Sequence, residues 1–157
     1  MQAQDAKAVL EIYRQGIETG LATFETEVPS WEKFPIKYLL HPRLVAAEDG
    51  KIIGWAGLSS VSNRECYKGV AEVSVYVNFE NRLKGIGKKL LQTLISKSEE
   101  NGIWSLLSVI DEENDVSIRV HEQCGFRMVG FREKIAQLKG KWKSTLMLER
   151  RSKIVGL

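Results

Sequence analysis

Val75-Tyr76-Val77-Asn78-Phe79-Glu80-Asn81-Arg82-Leu83-Lys84-Gly85-Ile86-Gly87-Lys88-Lys89 carries the end of a β-branched strand into a basic, glycine-containing turn and then into a helix. The helix is predicted over Gly85 to Asn101, with Ile86, Leu90, Leu91, Leu94 and Ile95 along one side and Gly102 as its stop. A helix start has orphan N–H groups and a partial positive charge, so carboxylates normally occupy it. Here Arg82, Lys84, Lys88 and Lys89 crowd that end instead. Each cation costs roughly a few tenths of a kcal/mol there unless an anion neutralises it. Gly85 and Gly87 let a ligand approach the backbone. Together these features point to a phosphate or pyrophosphate site. A P-loop requires glycine at 82 and Ser or Thr at 89, where the chain has Arg82 and Lys89; a dinucleotide fingerprint from Gly85 requires a small residue where Leu90 stands. Both fail. A solvated basic turn is the other reading, but the order strand, loop, helix favours an anion site.

Working outward, Tyr67 to Asn78 reads as one long strand, with Val73, Val75 and Val77 on one face and Glu72, Ser74 and Tyr76 on the other. Upstream, Asp5 is placed to cap a helix carrying Val9, Ile12, Tyr13 and Ile17 on one stripe. Ser30 is placed to cap a second helix, Trp31 to Leu40, which Pro42 ends. Leu44 to Ala47 and Lys51 to about Val61 are strands joined by the Asp49-Gly50 hairpin signal. Downstream, Ile103 to Ile110 is nearly continuously apolar, as in a strand covered on both faces. Asn114 caps a short helix to about Cys124, and Gly125 closes it; Phe126 to Leu138 and Trp142 to Leu148 are strands. The order α, α, β, β, β, α, β, α, β, β predicts a mixed α/β domain with helices on a central sheet, and no strand precedes the first helix.

The chain has 157 residues, 43% apolar and 27% charged, which suits a single domain over 1–157 with a core of its own. A net charge of +3, from 23 basic and 20 acidic side chains, is too balanced to argue for nucleic acid. The apolar run Ile52 to Leu58 is strand-sized, far below the ~18 residues of a membrane span. The start, Met1-Gln2-Ala3-Gln4-Asp5, lacks a signal peptide's basic and apolar regions. Cys66 and Cys124 build no disulfide framework, and a reduced cytoplasm is the simplest setting. His121-x-x-Cys124 is half of a zinc pattern without a second half, so no metal is expected.

Arg82-Leu83-Lys84-Gly85-Ile86-Gly87 resembles the R/Q-x-x-G-x-G/A acetyl-CoA motif of the GNAT superfamily of N-acetyltransferases. Further blocks resemble its phosphinothricin N-acetyltransferase subfamily, which acts on phosphinothricin, methionine sulfoximine and methionine sulfone. They are Ala22-Thr23-Phe24-Glu25-Thr26-Glu27, Arg64-x-x-Tyr67, Ala71 to Val77, Glu113-Asn114 with Ser117, His121-Glu122-x-x-Gly125-Phe126, Arg132-Glu133-Lys134 and Gly140-Lys141-Trp142. The resemblance spans nearly the whole chain. It implies a central mixed, mostly antiparallel sheet flanked by helices, with the family's first edge strand short or missing. It also implies acetyl-CoA as co-substrate, a small amine or amino-acid acceptor, and a homodimer.

Acetyl transfer from a thioester needs a neutral amine, a polarised carbonyl and a proton for the departing thiolate. By resemblance, Glu72 is the general base; on its residues alone a solvent-facing strand glutamate is the simpler reading. His121 fills the slot where many members have a tyrosine that protonates coenzyme A, whereas a lone histidine on an apolar helix is more often a packed one. The backbone of Val75, Tyr76 and Val77 is expected to take the pantetheine amides by strand addition. The segment from Arg82 to Lys88 (Arg82, Leu83, Lys84, Gly85, Ile86, Gly87, Lys88) is expected to hold the pyrophosphate. Asn114 and Ser117 match coenzyme positions, with an ordinary helix cap as the alternative for Asn114. Arg64 and Tyr67 match residues associated with the acceptor carboxylate, and Phe24 a wall of its pocket; a solvated loop cation and core packing are the plainer accounts. Another amine acceptor, such as a polyamine or a protein N-terminus, and a non-catalytic acyl-CoA-binding module remain as alternatives.

Overall fold

In the computed structural model, which describes Met1–Leu157, Asp49 and Gly50 take φ of 49° and 74°. That is the backbone a two-residue hairpin requires. They join β1 (Arg43–Glu48) to β2 (Lys51–Ser60). With β3 (Val70–Val77), β4 (Ser105–Asp111), β5 (Arg127–Leu138) and β6 (Lys141–Arg151) these form a six-stranded sheet in the order β1-β2-β3-β4-β6-β5. Every neighbouring pair is antiparallel except β3 and β4. The helices are α1 (Ala6–Thr19), α2 (Phe34–Lys37), α3 (Ile86–Glu100) and α4 (Asp115–Gln123).

The alternation of β3 divides the core as its sequence requires. Val73, Val75 and Val77 face α3, whose Leu90, Leu91 and Leu94 pack with Ala56, Leu58 and Leu106. Leu91 and Leu94 are fully buried, each stabilising the fold by about 1.5–3 kcal/mol. Tyr76 faces the other way, stacked on Trp55 at 4.7 Å between ring centroids, where α1 lays Val9, Ile12 and Tyr13. No strand precedes α1; the Met1 ammonium donates to the Arg43 carbonyl of β1 at 3.1 Å.

Four local expectations are corrected. The second helix covers only Phe34–Lys37, not Trp31 to Leu40. Tyr38 turns to φ −109°, ψ 145°, and the Leu39 amide donates to the Leu58 carbonyl at 2.7 Å, so pairing with the sheet ends the helix early. The third strand begins at Val70, because Glu65–Tyr67 form a 3-10 turn in which the Tyr67 amide donates to Arg64. Asp5 precedes α1 but its carboxylate reaches back to the Gln2 amide at 2.6 Å and leaves α1 without a side-chain cap. β4 is covered on both faces only in part: Val109 is exposed, because a cleft opens beside it.

Candidate active site

The parallel pairing of β3 with β4 stops after Val70–Ser105, Ala71–Leu106 and Glu72–Leu107. Beyond that point β3 stays on β2 as far as Val77, while β4 follows β6 as far as Asp111. The two strands diverge, and the β4-facing edge of β3 from Ser74 to Val77 has no ladder partner. Unpaired backbone groups at that edge suit an extended amide-bearing ligand. A cleft of about 350 Å³ opens into the divergence. Glu72, Ser74, Val75 and Tyr76 line it from β3, Ser108 and Asp111 from β4, and Asn114, Ser117 and His121 from α4 and its cap.

At the mouth of this edge α3 begins. Leu83 and Gly85 take φ of 61° and 78°, curling the turn so that Gly85 is the N-cap of α3 with no side chain bound to the first amides. A Cβ on Gly87 would meet only the Val77 Cγ2 at 3.6 Å, an ordinary contact. Packing therefore does not demand glycine there. The Arg82 guanidinium lies 4.0 Å over the Phe79 ring, and Lys88 donates to Gln123 at 3.0 Å, tying α3 to α4. The turn thus offers free amides and cations together, which fits a pyrophosphate.

Glu72 is half-buried, and burial pushes its carboxyl above the usual value, partly offset by the cations of Lys37 and Arg132. His121 is 5% exposed and held at both nitrogens. Its Nδ1 donates to the Ser117 carbonyl at 2.8 Å; because a carbonyl only accepts, Nδ1 carries the proton. Nε2 is then the acceptor, and the Ser108 hydroxyl lies 3.1 Å from it. Burial lowers the imidazole pKa below 6.5, more than the Ser117 bond raises it, so the ring is neutral at pH 7. Phe126 packs its ring edgewise against the imidazole at 5.0 Å between centroids.

Asn114 caps α4, its Oδ1 accepting from the Ser117 amide at 3.2 Å, and its Nδ2 donates to the Leu21 carbonyl at 3.3 Å. Tyr76 donates to the Ala22 carbonyl at 3.2 Å. The segment after α1 is thereby fastened across the cleft and brings Phe24 to its wall. Arg64 and Tyr67 are not in the cleft lining. They lie exposed on the β2–β3 connection that follows Ser59 and Ser60, with the Arg64 guanidinium 5.6 Å from the Tyr67 ring centroid.

Sequence reasoning missed Ser108, Lys37, Asp111 and Thr145, all in the cleft wall. Ser108 had a signal, a hydroxyl inside an apolar strand; Lys37 had none. A second cleft of about 380 Å³ adjoins the first between the segment after α1 and α2, and Lys37 lines both. No group of three or more His, Cys, Asp or Glu side chains is placed to hold a metal ion.

The family model described as the acetyltransferase (GNAT) family matches residues 8–126. Phosphinothricin N-acetyltransferase of Alcaligenes faecalis is 32% identical over 93% of this chain and 77% of that protein. The L-methionine sulfoximine/L-methionine sulfone acetyltransferase of Pseudomonas paraeruginosa is 34% identical over 65% of this chain and 60% of that protein. Among solved structures, a GNAT superfamily phosphinothricin acetyltransferase from Sinorhizobium meliloti in complex with AcCoA superposes with a TM-score of 0.90. It is 31% identical, over 99% of this chain and 88% of that one. The diverging strands, the basic turn at α3 and these likenesses agree: the chain belongs to the GNAT family of acetyltransferases.

Proposed function

We propose that this acetyl-CoA-dependent N-acetyltransferase acetylates the α-amine of a small amino-acid-like acceptor of the phosphinothricin, methionine sulfoximine or methionine sulfone kind. The observation that carries the reading is one cleft, at the divergence of β3 and β4, that brings Glu72 and the neutral His121 together. The turn from Arg82 to Lys88 holds the pyrophosphate, and the free edge at Val75, Tyr76 and Val77 takes the pantetheine amides. That places the thioester beside Glu72, which accepts a proton from the acceptor's ammonium. The freed amine attacks the thioester carbon. Neutral His121 takes the next proton through the Ser108 hydroxyl, which accepts it from the attacking nitrogen while passing its own proton to Nε2, and the same relay run in reverse delivers a proton to the sulfur as the C–S bond breaks. Ser108 and the Ser117 carbonyl keep the ring in the orientation that this requires.

Phe24 walls the acceptor, and Arg64 with Tyr67, exposed on the β2–β3 connection outside the cleft lining, receives the carboxylate of an acceptor that extends out of the cleft past Ser59. Two copies assemble through the outer strand β5, whose Met128, Val129, Phe131 and Ile135 are exposed beside Trp142 of β6. Both cysteines are free, with Cys66 exposed, which fits a reducing cytoplasm.

Screening amino acids and their sulfur and phosphorus analogues for acetyl-CoA consumption tests the acceptor class. Arg64→Ala should slow an amino acid about ten- to a hundredfold in kcat/KM while sparing its amide. Equal loss on acid and amide makes Arg64 structural. Turnover of polyamines but no amino acid refutes the acceptor class.

A further inference from the structure

Lys37 ends α2 at the wall shared by the two clefts, in the lining of both. Its ammonium has one salt-bridge partner, the Glu25 carboxylate at 3.3 Å, and about half of each side chain is exposed. An exposed pair of this kind holds weakly and is readily exchanged for another oxygen. Lysine is a donor-only cation on a flexible stem, so the exchange asks for an accepting oxygen, and one with negative charge or a strong bond dipole replaces the carboxylate best. Phe24 and Tyr76 line the same cleft and offer apolar surface for a methylene chain leading to such an oxygen.

Resting on the acceptor class proposed above, we propose that Lys37 is a specificity-determining residue. Its ammonium leaves Glu25 to bind an oxo or anionic oxygen at the side-chain end of the acceptor, so the enzyme prefers oxygenated side chains to apolar ones of equal length. Lys37 also faces Glu72, as do Arg132 of β5 and the Tyr38 hydroxyl, with Ser59 and Leu107 the strand neighbours of Glu72. Lysine at 37 therefore helps keep Glu72 ionised, and its loss moves the acid limb of the rate profile to higher pH.

Methionine sulfone and methionine are the test pair, since they differ only in two sulfone oxygens. Kinetics with acetyl-CoA are compared for the wild type, Lys37→Met, Lys37→Arg and Glu25→Gln, with melting curves as a check on folding. Lys37→Met should reduce the preference for the sulfone about tenfold, through KM, and shift the acid limb upward. Lys37→Arg should restore most of both, and Glu25→Gln should keep or increase the preference by freeing the ammonium. If Lys37→Met slows both acceptors equally, or Glu25→Gln mimics it, Lys37 only pins the loop and the inference falls. If Lys37→Met does not fold, Lys37→Arg and Glu25→Gln still decide: a sulfone preference below wild type in Glu25→Gln overturns the inference. A wild type that acetylates neither amino acid overturns the acceptor class and, with it, this role; turnover of both with an unchanged ratio in Lys37→Met overturns this role alone.

Discussion

The Ser108 hydroxyl and His121 Nε2 are hydrogen-bonded at 3.1 Å, with Ser108 4% and His121 5% exposed. Since Nδ1 is committed to the Ser117 carbonyl, the one lone pair of the ring is at Nε2, and the Ser108 hydroxyl holds it. Ser108→Ala removes that restraint without emptying much volume. It should lower kcat by about tenfold, near 1.4 kcal/mol, and leave coenzyme affinity unchanged by calorimetry. An unaltered kcat rejects the restraint.

The pH profile follows from two opposite shifts. Glu72 must be ionised to act, and burial raises its carboxyl above 4.5; His121 must be neutral, and burial lowers its imidazole below 6.5. On the proposed mechanism activity is therefore lost as pH falls, by protonation of Glu72 above its ordinary 4.5 and of His121 below its ordinary 6.5. A plot of kcat/KM against pH should show its acid limb above 4.5 and no loss near 7 from imidazole protonation. A limb at or below the ordinary glutamate value rules out Glu72 as the buried base.

Gly87 separates packing from ligand binding. A methyl group at this position would lie 3.6 Å from the Val77 side chain and touch nothing else, so Gly87→Ala should melt close to the wild type. Gly87→Asp adds bulk and negative charge at the proposed pyrophosphate site and should abolish coenzyme binding measured by calorimetry. Retained affinity in Gly87→Asp removes the turn from the coenzyme site.

Light scattering at micromolar concentration should give twice 17.8 kDa if β5 is the contact between copies. Phe131→Glu, on its exposed face, should return the mass to that of one chain. A wild-type mass of one chain rejects a stable dimer.

How far these features are legible in the sequence follows from their range. β3 and α3 are written in local periodicity, so Val73, Val75 and Val77 against Leu90 and Leu94 can be read directly. The cap at Asn114 is equally local, Oδ1 to an amide three residues on. The extent of α2 is not legible, because its end is set by pairing of Leu39 with Leu58, a contact no local pattern encodes. Likewise Tyr67 has strand character but is held in a 3-10 turn by its own connection. Lys37 reads as an ordinary helix cation until tertiary structure brings it to the cleft. The tautomer of His121 depends on Ser117 and Ser108, of which the second belongs to another element.

Glu72→Gln tests the chemistry most sharply, because it keeps the shape of the side chain while removing the base. With methionine sulfone as acceptor under conditions where chemistry limits the rate, kcat should fall by ~10²-fold or more while acetyl-CoA still binds with wild-type affinity. Wild-type turnover in that variant would mean that the amine is deprotonated elsewhere and that Glu72 is no more than a half-buried strand residue.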